Sequence, residues 1–457
     1  MNAKLVAGLF CLLTCCVVSH AQYSWRLLLP KTAYTMQVNP LDPNKLYVGN
    51  RYDQLWRSFD GGNAWEVRIL TEFPTDETMT SMIVSSADTN VMLFGGFNAN
   101  GIKRSDNGGQ TATRVLSPTA GTMFFISEAI VEDPSNPRVL YAVRGRPFFQ
   151  TTVYKSVDVG ATWDSIAVMD SSMTRGLCTI AIRPDSTNIL FVGAKLGTIL
   201  RSDDAGRTFR RVPVLGDKLS VFDDSEIPKI VFSPLNPMVG YAVVAFSNSE
   251  QIVGNGGLLK TTNGGASWDR IAFADTSLWA VEVRASSLGT DDVFVGGFRL
   301  ATPNTVVPGD SLVARSLDGG TTWNHFDNIT WQPNENDDTI ANVWVLRYNK
   351  PSNKLYMATN CGLYVFDEPT GVANDVRAHT SLRTTINNDV LRVLDTESEA
   401  VKNTWTLYNM QGAAIATGRV DASNELSLSL DRFASGAYVM TWGTETKFRT
   451  INFSVVR

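Results

Sequence analysis

One stretch, RSFDGGNAW (Arg57–Trp65), returns five more times in altered form, as RSDNGGQTA, KSVDVGATW, RSDDAGRTF, KTTNGGASW and RSLDGGTTW. Its serine or threonine falls at Ser58, Ser105, Ser156, Ser202, Thr261 and Ser316, in steps of 46 to 59 residues. Self-similarity at such a period means a ring or stack of like units, none able to bury an apolar face alone. A second landmark precedes each copy, an apolar run behind a Pro/Asn/Asp turn, such as DPNKLYVGN, ADTNVMLFGG or DPSNPRVLYAV. It is centred on Tyr47, Phe94, Tyr141, Phe191, Tyr241, Phe294 and Tyr356, and so occurs once more than the box; after Tyr356 the box has decayed to a lone Asp367.

Each unit reads as four short strands: an inner apolar strand (SMIVSS, CTIAIRP, KIVFSP, VWVLRY), the LYVG-type strand, a third ending at the box (GIKRS, GLLKT), and a fourth starting at the box aromatic (WEVRIL, WDSIAV, FRRVPV, WDRIAF). Four strands per repeat is the pattern of a propeller blade. The seventh unit lacks an outer strand, while SWRLLLP near the N-terminus matches AWEVRIL, with Trp25 in the place of Trp65. The expected fold class is therefore all-β: a seven-bladed β-propeller over residues 22–371, closed by Trp25–Leu29, which leaves no open edge at the join.

The box invites a chemical reading because it is acidic and glycine-rich. Its acid or amide is Asp60, Asn107, Asp158, Asp204, Asn263 or Asp318, and its aromatic is Trp65, Trp163, Phe209, Trp268 or Trp323, with Ala112 in the second copy. Asp or Asn accepts backbone N–H groups within a tight turn, the glycine admits positive φ, and the aromatic buries area between hairpins. Asn replaces Asp twice, which an acid–base or metal role tolerates badly. One Asp per turn also falls short of the six or more oxygens of a calcium site. A structural role is expected, and no metal or cofactor. The pattern S-x-D-x-G-x-T-W resembles the Asp-box (BNR) repeat of sialidases, xyloglucan-cleaving glycosidases, sortilin-type receptors and photosystem-assembly propellers. That resemblance implies a propeller and leaves the activity open.

In a blade of this kind the box turns lie on one rim. The second-to-third turns and the links between blades lie on the other, where loops of uneven length carry Tyr52, Arg146, Phe148, Trp331, Asp223 and Asp337, with Arg51, Phe149, Arg299, Asp76, Glu77, Asp224, Glu335 and Asp338 near them. Aromatic plus acid suits a glycan or protein ligand, and those six residues are the candidate binding set, with no catalytic residue assigned. Hydrolysis of a glycoside needs two carboxyls about 5–10 Å apart, which sequence spacing does not establish. The sialidase (F/Y)RIP segment is missing, and the xyloglucan-type enzymes pair two propellers where one fits here. The expectation is a non-catalytic propeller binding glycan or protein. The alternatives are an Asp-box glycoside hydrolase, sialidase- or xyloglucanase-like, and an envelope assembly or scaffold protein.

The ends speak to location. Lys4, the apolar run Leu5–Val18 and Ser19-His20-Ala21 have the form of a secretory signal over residues 1–21. No later stretch is long and apolar enough to span a membrane. Charged residues are 19% with a net charge of −5, and no basic run points to nucleic acid. Cys178 and Cys361 remain after the signal, too few for a disulfide framework. After a linker at 372–384, residues 385–457 read as short strands with hairpin turns at NMQG and ASG, the pattern of a small immunoglobulin-like β-sandwich. The segments INNDVLRVL, WTLYNMQG, LSLDRFASGAYVMTW and KFRTINFSVVR resemble the C-terminal sorting domain of the bacterial type IX secretion pathway. This resemblance implies that the secretion machinery is a partner and that the protein is secreted or displayed on the outer cell surface.

Overall fold

The computed structural model describes residues 24–367 apart from 53, 71–76, 98–100, 118–126, 146–150, 170–173, 175, 216–224, 247–255, 287–288, 299, 302–304, 307–312, 327–328, 330 and 332–341, and, beyond 367, residues 382–387, 390–395, 404–409, 414–419, 425–431, 433, 436–444 and 447–455. The signal segment and residues 372–381 of the expected linker lie outside the described residues; its last three residues, Leu382, Arg383 and Thr384, belong instead to the strand Leu382–Asn387. The chain divides into two compact units, Trp25–Asp367 and the C-terminal residues from Glu368 on.

The first unit is all-β and forms a seven-bladed propeller. Its inner strands are Thr35–Val38, Thr78–Val84, Ile130–Asp133, Leu177–Arg183, Glu226–Phe232, Leu278–Ala285 and Val343–Asn349, each at the edge of its own sheet. The first six blades are antiparallel meanders built outward from these strands. The seventh runs Val343–Asn349, Lys354–Thr359, Gly362–Asp367 and takes Ser24–Leu29 as its outer strand. Trp25 seals that join, its ring 5.1 Å from Phe366 and 6.4 Å from Phe326 of the sixth blade.

The aromatic landmarks explain why the blades stack. Tyr47, Phe94, Tyr141, Phe191, Tyr241, Phe294 and Tyr356 are all buried, each paired across from the middle of its inner strand. Large rings at one register give every blade the same apolar thickness against its neighbour. In four of the six boxes the basic residue ahead of the serine or threonine adds a polar tie to the next blade: Arg57 donates to Gly108 O (2.8 Å), Arg104 to Val159 O (3.1 Å), Arg201 to Gly264 O (3.0 Å) and Lys260 to Gly319 O (2.7 Å).

One strand departs from the four-per-blade expectation. FRRVPV was expected to be the outer strand of the fourth blade, but only Arg210–Arg211 forms strand there, followed by one bond from Val212 N–H to Ile199 O (3.1 Å). Pro213 has no N–H to continue the ladder. The chain then crosses over, and Val214–Leu215 pairs in parallel with Trp268–Ala272, giving the fifth blade a fifth strand. The carbonyl of Pro213 accepts the Trp268 N–H at 3.0 Å.

The C-terminal unit holds two antiparallel sheets. One orders Leu382–Asn387, Val390–Asp395, Glu425–Ser429; the other orders Ala414–Arg419, Thr404–Asn409, Gly436–Thr444, Lys447–Val455. Leu391, Leu407, Leu430 and Met440 are buried in a common cluster with Trp405 and Tyr438.

Candidate functional site

The box turns form a hydrogen-bonded staple. In the third blade Ser156 Oγ donates to Asp158 Oδ1 (2.8 Å) and accepts Gly160 N–H (2.8 Å), Thr162 N–H and Oγ1 both donate to Asp158 (2.9 and 2.6 Å), and Trp163 Nε1 donates to Gly160 O (3.1 Å). Asp60, Asp204 and Asp318 accept the corresponding serine and backbone donors. Where the residue is Asn, one bond reverses: Asn107 Nδ2 donates to Thr111 Oγ1 (2.8 Å) and Asn263 Nδ2 to Ser267 Oγ (2.9 Å), while the Oδ1 bonds remain. The hydroxyl opposite serves as donor or acceptor, so Asp and Asn fit the same turn. The staple holds the Asp204 carboxyl down at about 2, chiefly through Thr208 Oγ1, and at Asp158, also about 2, the same kind of bonds outweigh an upward push from partial burial.

The second turn glycine is the joint between blades. A Cβ on Gly160 (φ 76°) would lie 2.6 Å from Leu93 of the second blade, and one on Gly265 (φ 77°) 2.2 Å from the Phe191 ring of the fourth. Each turn is also tied to the first-to-second strand turn of its own blade, as by Gly108 N–H to Asn90 O and Gly264 N–H to Met238 O, both 2.8 Å. Both turns therefore share one rim.

On the opposite rim the inner strands of the sixth and seventh blades begin with a bulge. Trp279 sits between the pairs Leu278↔Gly297 and Ala280↔Gly296, and Trp344 between Val343↔Thr359 and Val345↔Ala358. In the first blade Tyr34 holds the same place, just before the pair Thr35↔Gly49. A bulge re-aims the side chain that carries it. The three rings come from consecutive blades, sixth, seventh and first, and they touch: Trp279–Trp344 is 5.4 Å between centroids and Trp344–Tyr34 is 5.5 Å. Phe298 joins at 5.1 Å from Trp279 and 5.5 Å from Trp344, and the Arg51 guanidinium lies 5.5 Å from the Tyr34 ring. All four rings are half-buried.

The same strand position in the third blade carries Glu128. It is ion-paired with Lys229 of the fifth blade and Arg347 of the seventh. Blades three, five and seven are not neighbours, so these side chains meet across the central channel. Burial lowers the Arg347 guanidinium to about 10. Glu282, in the sixth blade, accepts the Val283 and Tyr348 N–H groups at 3.1 and 3.3 Å, and burial pushes its carboxyl up to about 7. Two other acids near the rim are also paired: Glu226 with Lys195, and Glu77 with Lys103. The sequence placed Glu77 among loop acids; instead it is 1% exposed beside a fully buried lysine, a structural pair.

Of the candidate binding residues, Tyr52 stands 57% exposed after Arg51, at φ 55°, its N–H donating to Glu77 O. Trp331 packs edge-on to Tyr364 of the seventh blade at 5.3 Å. Arg146, Phe148, Asp223 and Asp337 lie outside the described residues, as do Asp76, Phe149, Asp224, Arg299, Glu335 and Asp338. Sequence reasoning missed Tyr34, Trp279, Trp344 and Glu128. The signal was an aligned column one residue before the alternating core of the inner strand, in AYTMQV, LWAVEV, VWVLRY and SEAIVE. Cys178 falls in the same column of the fourth blade and is buried and unbridged, as is Cys361; burial pushes the Cys178 thiol well up. Among the described residues no group of three or more His, Cys, Asp or Glu is placed to hold a metal ion, and no helix is long and apolar enough to cross a membrane.

No family model matches the chain. A xyloglucanase from a Paenibacillus species is 25% identical over 329 residues, covering 67% of this chain and 28% of that protein. The chain thus spans little more than a quarter of that relative's length. Among solved structures, an ancestral GH74 enzyme superposes with a TM-score of 0.56 at 15% identity, over 92% of this chain and 60% of that one. YCF48 from Cyanidioschyzon merolae superposes at 0.53 with 13% identity, over 76% of this chain and 100% of that one. These likenesses support the propeller fold. The expectation of a non-catalytic binding propeller is corrected by the sequence relative, whose name, xyloglucanase, points toward a glycoside hydrolase.

Proposed function

We propose that the propeller is a glycoside hydrolase acting on a glucan of the xyloglucan class at the channel mouth opposite the box turns. The 25% identity to a xyloglucanase carries the reading. The mouth supports it, with half-buried aromatic rings on one side and the Glu128 carboxyl on the other. Flat rings stack on the C–H faces of sugars, and a few placed polar groups orient them. Acid–base cleavage takes two carboxyls about 5–10 Å apart. Glu128 is one candidate, and the acids Asp223, Asp224, Asp337 and Asp338 precede the mouth-side strand starts at Glu226 and Val343, where its partner is sought by amide substitution.

The test is release of new reducing ends from xyloglucan by the full chain, with product masses, beside mixed-linkage glucan and cellulose derivatives. Xyloglucan cleavage that Glu128→Gln reduces by at least about a hundredfold with the fold intact is the expected result. No product above a heat-inactivated control on any of these polymers would sink the reading.

For residues 385–457 the proposal is an immunoglobulin-like sandwich that serves as the type IX sorting domain, supported by the LYNMQG and SGAYVM segments. Deleting it in a bacterium with that pathway should trap the protein in the periplasm. Undiminished export would refute it.

A further inference from the structure

Two of the six box turns carry a dipeptide with chemistry of its own, Asn107-Gly108 in the second blade and Asn263-Gly264 in the fifth. In an open chain an Asn-Gly pair loses ammonia. The glycine backbone nitrogen attacks the asparagine Cγ and forms a new N–C bond, closing a five-membered succinimide. The Cγ–Nδ2 bond breaks and ammonia leaves. Water then opens the ring at one carbonyl or the other, which yields aspartate or isoaspartate. Glycine favours the step because it has no Cβ to crowd the nitrogen or restrict the backbone.

The staple commits both reacting groups to other partners. Gly108 N–H donates to Asn90 O and Gly264 N–H to Met238 O, both at 2.8 Å. Asn107 Oδ1 accepts Ser105 Oγ–H, Gln110 N–H and Thr111 N–H at 2.9, 3.1 and 3.0 Å, and its Nδ2 donates to Thr111 Oγ1 at 2.8 Å. Asn263 Oδ1 accepts Thr261 Oγ1–H and Ser267 N–H at 2.9 and 3.0 Å, and its Nδ2 donates to Ser267 Oγ at 2.9 Å. Freeing the amide and the glycine nitrogen together breaks five bonds at the first turn and four at the second. The two products then differ in fit. Aspartate keeps both side-chain oxygens in place and accepts the hydroxyl opposite, as Asp158 and Asp318 do from Thr162 and Thr322. Isoaspartate routes the main chain through the side-chain CH2, so the turn gains an atom and the free carboxylate, now directly on Cα, loses its reach.

We propose that Asn107 and Asn263 are opening-gated modification sites. Each loses ammonia only while its box turn is open, and of the two products only aspartate lets the turn close again. Two turns of the ring are thus latent aspartate turns, and their conversion records how often the second and fifth blades open locally. The proposal is independent of the hydrolase reading.

The experiment ages the full chain in mildly alkaline buffer, folded and across its urea transition, and maps it with trypsin. Residues 105–114 (SDNGGQTATR) and 261–270 (TTNGGASWDR) come off as separate peptides with one asparagine each. Peptide mass reads the conversion, and isoaspartyl methyl transfer labels the iso form. Synthetic peptides of the same sequences give the open-chain rate. A net hydrogen bond is worth a factor of about two to twelve in an equilibrium, so the folded sites should react at least about tenfold more slowly than the peptides. The rate should rise to the peptide value through the urea transition. Equal rates in folded chain and peptide overturn the gate. Thr111→Val removes the acceptor of Asn107 Nδ2 and should speed Asn107 by about twofold to twelvefold while Asn263 stays unchanged. No acceleration at Asn107, or the same acceleration at both sites, counts against a local gate. Asn107→Asp supplies the aspartate product directly, and its urea midpoint should equal or exceed that of wild type; a lower midpoint overturns the refit. In aged wild type, isoaspartate should be confined to molecules that unfold at lower urea. Isoaspartate in molecules with an unchanged midpoint overturns the selection between products.

Discussion

Replacing Asp158 tests whether the repeated box is a staple. Its carboxylate accepts three donors, Ser156 Oγ–H, Thr162 N–H and Thr162 Oγ1–H, at 2.8, 2.9 and 2.6 Å. Each such bond is worth about 0.5–1.5 kcal/mol net. Asp158→Ala therefore costs about 1.5–3 kcal/mol, toward the low end because the turn is partly exposed. Asp158→Asn keeps the two Oδ1 bonds and reverses the third, the arrangement Asn107 and Asn263 already show, so it costs under about 1 kcal/mol. Urea unfolding followed by tryptophan fluorescence reads both, as a midpoint shift at constant slope. The pH dependence follows from sign. The carboxyl is held at about 2 in the folded protein against about 3.9 unfolded. A depressed acid contributes stability above the unfolded value and loses it as pH falls toward the folded one. The advantage of wild type over Asp158→Asn should thus be complete above about pH 5 and fade between about pH 4 and 2. If Asp158→Asn costs as much as Asp158→Ala at pH 7, the charge itself matters, as it would for a bound cation, and the staple argument fails. If neither variant moves the midpoint, the turn does not hold the blade.

Two further outcomes check the packing. Val159 is a β-branched residue at φ 60°, where four of the other five boxes have glycine; Val159→Gly removes strain of about 1–2 kcal/mol and gives back about 0.5–1 as backbone entropy, so a small net rise in the urea midpoint is expected, and a fall would contradict the strain argument. Lys103→Met strands the Glu77 carboxylate, 1% exposed and 2.6 Å from the lysine it has lost, and should cost about 3–5 kcal/mol; adding Glu77→Gln should recover most of this, and a neutral single variant would mean that the pair is not buried as described.

The fold was legible because its determinants are local and repeated. Seven aromatic landmarks at one register and a turn that closes on its own side chains are visible residue by residue. The match of SWRLLLP to AWEVRIL was visible too, because the seventh unit lacked an outer strand. The crossover at Pro213 was not. A proline in FRRVPV announces a break, but which neighbouring sheet receives the next two residues depends on the free edge at Trp268, a tertiary fact.

The site was less legible, for a reason built into a ring. Loops drew attention because they are uneven and carry aromatics and acids, and of those candidates Glu77 proves to be half of a buried pair. The residues that gather at the mouth come instead from inside the repeat, at the start of the inner strand. In a stack, like positions contact only neighbouring repeats. In a closed ring, the innermost positions of distant repeats also face one another, so departures from the repeat at that column accumulate around one axis. Glu128 reaches cations 101 and 219 residues away in sequence, and Tyr34 touches Trp344 across the point where the ring joins. The box column tells the opposite story. Its six copies are nearly alike because each performs the same local task, and no two of them share a ligand. In this propeller the column that repeats most faithfully marks the structural rim, and the column that varies most in chemical character, Tyr34, Glu128, Cys178, Trp279 and Trp344, is where the binding and cleavage tests should be aimed.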